Sequence, residues 1–166
     1  YTHFVAHGFQ WGADVLPMTG PFGFILYGHT YTGELFGVRL LGDFLLKAVF
    51  AVLLLRLFHR AGPGRLRWCW LAGVVLMVPT VDDLFHDFAI LVATLTLLAE
   101  LDRRLNRWAV TACLLLGALA LFKGTHLLTT ALCFGAVALL CIVERRWREL
   151  LRLAGAYLGA VLGFWL

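Results

Sequence analysis

Three groups of polar residues interrupt the apolar stretches of this chain, and each has spacing suited to chemistry. The run Asp82-Asp83-Leu84-Phe85-His86-Asp87 puts Asp83 and Asp87 one helical turn apart on a shared face. Such carboxylate pairs hold a divalent cation such as Mg²⁺, and through it a diphosphate, because hard cations take carboxylate and phosphate oxygens together. Helix capping is the plainer reading, with Asp82 or Asp83 as N-cap and Asp87 in the first turn, yet capping needs only one of the three. The second group is Arg39, Asp43 and Lys47, stacked at i, i+4 and i+8. In a bilayer such charges are costly unless paired or hydrated, so their face points into a bundle or a cavity. Two readings stand: a self-neutralising ladder in which Arg39 snorkels outward, or a net positive charge that takes a lipid phosphate. Lys123 and His126 form the third group, either an interfacial anchor or a phosphate clamp.

Other candidates carry less. His3, His7, His29, His86 and His126 fall on one side of the topology described below, but with no HxxxH or HExxH spacing, so no metal ligand set is assigned. Cys69, Cys113, Cys133 and Cys141 lie in apolar stretches without CxxC spacing and read as packing residues. The chain has no serine, which excludes serine-nucleophile hydrolysis from this segment. Gly155, Gly159 and Gly163 repeat every fourth residue and predict a close helix contact.

The elements that must position these groups are membrane spans. Hydrophobic residues make up 61% of the 166 positions and charged residues 14%, against roughly 45–50% apolar residues in soluble domains. The pattern predicts an all-α, polytopic transmembrane bundle, with an outer segment over 1–33 and a helical domain over 34–166. Its spans are expected near 35–58, 68–81, 84–101, 108–122, 127–143 and 153–166, the last truncated. The first segment is broken by Gly8, Gly12, Pro17, Gly20, Pro21 and Gly23 and predicts a loop with short helices lying on the membrane. The second span covers only about 21 Å, short of a hydrocarbon core of about 30 Å. Tyr1 is no initiator and the last apolar stretch is short, so the chain reads as a fragment of a larger protein.

Charge gives each break a side. Arg56, Arg60, Arg65 and Arg67 fill one break, Arg103, Arg104 and Arg107 the next but one, and Arg145, Arg146, Arg148 and Arg152 the last. Inner loops are enriched in Lys and Arg, so these face the cytoplasm and the Asp/His breaks face outward. Orientation alone accounts for the arginines. The net charge of +4 then meets anionic membrane lipid, and nucleic acid is not an expected partner. Twelve arginines against two lysines suggest a GC-rich bacterial gene, hence the bacterial inner membrane with the N-terminal segment outside.

The outer segment reads Gly12-Ala-Asp14-Val-Leu-Pro-Met-Thr-Gly20-Pro21-Phe-Gly23-Phe24. It resembles the G-x-D-[VI]-x4-G-P-x-G-F stretch of a family of bacterial polytopic membrane proteins that look like members of the GT-C glycosyltransferase superfamily. The Arg39 to Lys47 ladder and the Asp82-Asp83 turn are similar to that pattern too, so the resemblance covers the first half of the chain. It implies many spanning helices, an active site at the outer face and a polyprenyl-phosphate-linked sugar as donor. An acid in the first outer loop then acts as base or metal ligand for inverting attack on the anomeric carbon. Asp14 is the acid present. Where that acid instead comes early in the loop, it would precede Tyr1, and Asp14 would orient substrate or cap a surface helix.

The expected catalytic residues are thus Asp14 and Asp83, and the expected substrate-binding residues Arg39, Lys47, Asp82, His86, Asp87, Lys123 and His126. Two other functions fit parts of the pattern. A transporter or lipid-handling protein would use the charged ladder. A Mg²⁺-dependent prenyl-transferring enzyme would use Asp82, Asp83 and Asp87, although such enzymes work on the cytoplasmic side.

Overall fold

The computed structural model describes residues 36–60, 64, 68–69, 71–74, 84–101 and 107–163. The outer segment with Asp14, the Asp82-Asp83 pair and most of the expected second span lie outside the described residues. Apart from one bridge residue at Lys123, every regular element among the described residues is helical. The five long helices are α1 (Phe36–Arg60), α2 (Leu84–Leu101), α3 (Arg107–Ala120), α4 (Gly124–Val143) and α5 (Trp147–Leu162).

Their bounds follow local chemistry. α1 stops at Arg60, just ahead of Gly62 and Pro63 in the sequence, which cannot continue a helix without cost. α4 ends in a Schellman turn: Arg146 N–H donates to Cys141 C=O at 2.7 Å and Arg145 N–H to Ile142 C=O at 3.0 Å. Arg145 takes the left-handed conformation that this turn requires, at φ 57°. α5 starts at Trp147 rather than at 153, so Arg148, Glu149 and Arg152 lie on the helix. No breaker separates them from the apolar stretch, and Glu149 in the first turn suits the helix dipole.

α3 is the hub, although it is the shortest of the five, and it touches each of the other four. Ala109, Ala112, Cys113, Leu116, Leu119 and Ala120 are buried around its circumference. Its closest approach is to α5. A Cβ placed on Gly117 would sit 2.6 Å from Ala160 Cβ and 2.7 Å from the Tyr157 carbonyl oxygen, so only glycine fits there. The expected contact stripe is therefore displaced, because a Cβ on Gly155 or Gly159 would meet nothing within 4 Å. Tyr157 fixes α5 to α4 instead, stacking on Phe134 at 4.7 Å and sharing a 3.1 Å hydrogen bond with Thr130.

On α4 the polar side chains face inward and large apolar ones outward. The buried stripe of α4 is His126, Thr130, Val137 and Cys141, whereas Leu127, Leu128, Leu132, Leu139 and Val143 are exposed. Hydroxyls inside the helices bond back along their own turn, as Thr96 does to the Val92 carbonyl at 2.7 Å and Thr94 to that of Ile90 at 2.8 Å. By length and composition α4 is the one helix among the described residues able to cross a membrane, with the apolar α3 shorter. The expectation of six spans is thus met only in its coarser form, an all-helical bundle with one candidate span. α1 is long enough, but Arg39, Asp43, Lys47, Arg56 and Arg60 interrupt its apolar run.

Candidate functional site

α1 and α2 run parallel, with Phe50 against Phe85 and Arg60 against Ala99, while α3 and α4 reverse direction in turn, which brings His86, Asp87 and His126 to one end and Arg56, Arg60, Arg107 and Arg146 to the other. At the first end, Lys47 on α1 pairs with Asp43 at 2.7 Å, and both side chains are well exposed. The Lys47 ammonium also lies 6.0 Å from the centroid of Phe85 on α2. Phe85 meets Phe50 edge-on at 5.1 Å and the His86 ring at 5.2 Å. His86 in turn rests against Phe122, 5.2 Å away after the end of α3, and stacks on His126 of α4 at 5.8 Å with 22° between ring planes. His126 Nε2 approaches the exposed Asp87 carboxylate to 3.8 Å.

Lys47, Phe85, His86, Phe122, His126 and Asp87 therefore form one continuous assembly from four segments of the chain. Both imidazoles are buried, at 6% and 5% exposure, which takes them out of the role of surface anchors. Lys123, half-buried, sits at the N-cap of α4 with an extended backbone. Arg39 is half-buried two turns before Lys47. A hollow of about 480 Å³ opens beside the ion pair, lined by Gly37, Leu40, Leu41, Asp43, Phe44 and Lys47. No set of three His, Cys, Asp or Glu side chains converges as a metal site among the described residues. The arrangement supplies a cation, a carboxylate and two stacked imidazoles, groups that bind phosphate and move protons.

The structure brings Lys47, His86, Asp87 and His126 together out of the expected binding residues. Asp14, Asp82 and Asp83 lie outside the described residues. Sequence reasoning missed the aromatic links Phe85 and Phe122, which look like ordinary apolar residues in the sequence.

It also missed the opposite end. Glu100 has a fully buried side chain, held by Arg56 Nε at 3.0 Å and Arg60 Nη2 at 2.7 Å. Arg60 Nη1 donates to the Ala99 carbonyl at 2.6 Å, and Arg146 Nη1 donates to that of Leu101. Two guanidiniums share the Trp108 ring, Arg56 at 5.4 Å and Arg107 at 5.1 Å from its centroid. Some of the arginines thus have structural partners. The signal was an acid ahead of an arginine-rich break, in helical register with the buried Ala89, Ala93 and Thr96. No family model matches the chain, and neither the curated proteins nor the solved structures contain a match to it.

Proposed function

We propose that this chain is part of a polytopic bacterial inner-membrane protein, with the N-terminus of α1 outside, that transfers a sugar from a polyprenyl-phosphate donor in the manner of GT-C glycosyltransferases. The observation that carries the reading is the outer-end assembly of Lys47, His86, Asp87 and His126 beside an apolar surface. Membrane residence is supported by the many large apolar side chains left exposed on the helices, among them Leu128, Leu132, Leu139 and Val143 of α4. Arginines at one end set the orientation.

On this reading the prenyl tail stays in the bilayer against exposed residues such as Leu40 and Phe44. Its phosphate enters the hollow at Lys47, with Lys123 and Arg39 adding positive charge to the same end. An acceptor hydroxyl gives its proton to Asp14 or Asp83 and attacks the anomeric carbon from the face opposite the leaving group. The new bond joins acceptor oxygen to the anomeric carbon, and the bond from that carbon to the phosphate oxygen breaks. Charge accumulates on the departing phosphate, where a cation lowers the barrier. His86, His126 and Asp87 hold the acceptor or the phosphate.

Membranes containing the full-length protein, a radiolabelled polyprenyl-phosphate sugar and an acceptor extract provide the test. Asp14→Asn and Asp83→Asn each abolish transfer while the protein still inserts. Full transfer in both variants would overturn the assignment.

A further inference from the structure

We propose that the cleft between α1 and α3 binds one anionic phospholipid of the inner leaflet, its phosphate on Arg56 and Arg107 beside Trp108 and one acyl chain along the cleft. The inference rests on membrane residence, and it stands whether or not glycosyl transfer does.

The headgroup end is defined by unequal use of the arginines. Arg60 gives both terminal nitrogens to the protein, one to Glu100 and one to the Ala99 carbonyl. Arg56 reaches Glu100 through Nε, and among the described residues neither of its terminal nitrogens has an acceptor. Arg107 is exposed and is held only by the Trp108 ring among them. Arg56 and Arg60 thus share the Glu100 carboxylate, and Arg56 and Arg107, which have nitrogens to spare, lie on the same indole. Guanidinium forks match phosphate oxygens, and indoles sit at the depth of lipid headgroups.

The tail end is an apolar cleft of about 500 Å³ that starts one turn from Arg107, at Thr111, and continues past Leu114, Leu115 and Ala118 to Phe122. Its α1 wall runs from Val49 to Val38. From Thr111 to Phe122 the wall measures about 16 Å, length enough for one acyl chain. A cationic end joined to a long apolar cleft has the charge and shape to take a phospholipid. A neutral lipid would leave the arginine excess unmatched.

The full chain, purified in mild detergent, is incubated with phosphatidylglycerol or with phosphatidylcholine of identical chains and weighed intact by native mass spectrometry. One phosphatidylglycerol per chain is retained, and phosphatidylcholine is lost. Arg107→Gln lowers retention roughly tenfold, the loss of a charged hydrogen bond. Ala118→Trp, which fills the cleft and leaves the arginines in place, removes retention. If that variant fails to fold, Leu114→Trp at an exposed position on the same wall replaces it. Equal retention of phosphatidylcholine, or unchanged retention in Arg107→Gln, overturns the headgroup site. Unchanged retention in the tryptophan variant overturns the chain site, and displacement by millimolar inorganic phosphate would show a free-anion site instead.

Discussion

Glu100 permits the sharpest test of how the bundle is held, because removing it and removing its partners should not cost the same. Its side chain is 0% exposed, whereas those of Arg56 and Arg60 are 30% and 19% exposed. Glu100→Gln keeps the shape but leaves one acceptor oxygen for two donating arginines and turns an amide N–H2 toward the other guanidinium, so one hydrogen bond is lost and the other weakened, a cost of about 2 kcal/mol together. The arginines then reach toward water or headgroups, which limits the penalty. Replacing both arginines with Gln instead removes two of the cations that compensate a fully buried carboxylate, at a cost of about 3–5 kcal/mol. The triple variant, with all three changed to Gln, should recover part of that loss. Reversible unfolding in mixed micelles, read by tryptophan fluorescence, gives the three values as a cycle. Equal losses for Glu100→Gln and Arg56→Gln/Arg60→Gln, or a triple variant that is simply additive, would refute the clamp.

Further outcomes follow from the packing. Gly117→Ala should destabilise the bundle by about 1–3 kcal/mol through overpacking against Ala160 and the Tyr157 carbonyl, while Gly155→Ala should cost nothing. The same unfolding assay compares them. Arg145→Gly should stabilise the α4–α5 turn by about 1 kcal/mol, because glycine accepts the left-handed conformation without the Cβ clash.

The helices were legible because their apolar stretches are long and end at strong signals, as at Gly62-Pro63 after α1. Among the described residues, Arg60 meets α2 at Ala99 while His86 meets His126 at the other end of that helix. What was hidden lies in side chains whose meaning depends on neighbours far away in sequence. Glu100, inside the expected span 84–101, drew no notice in the sequence because its partners Arg56 and Arg60 lie some forty residues away. Phe85 and Phe122 connect the polar groups of the outer end only after folding. The glycine repeat misled for a related reason: spacing shows that three glycines share a face, but not which helix that face meets, and the tight contact is made by Gly117 instead.

The central claim is that the Asp/His end and the arginine end lie on opposite sides of a membrane. In a cysteine-free background, single cysteines at the exposed positions Thr125 and Arg148 mark the two ends. A membrane-impermeant maleimide applied to intact spheroplasts should label Thr125→Cys at once and Arg148→Cys only after permeabilisation. Labelling of both from outside, or of Arg148→Cys alone, would contradict the account.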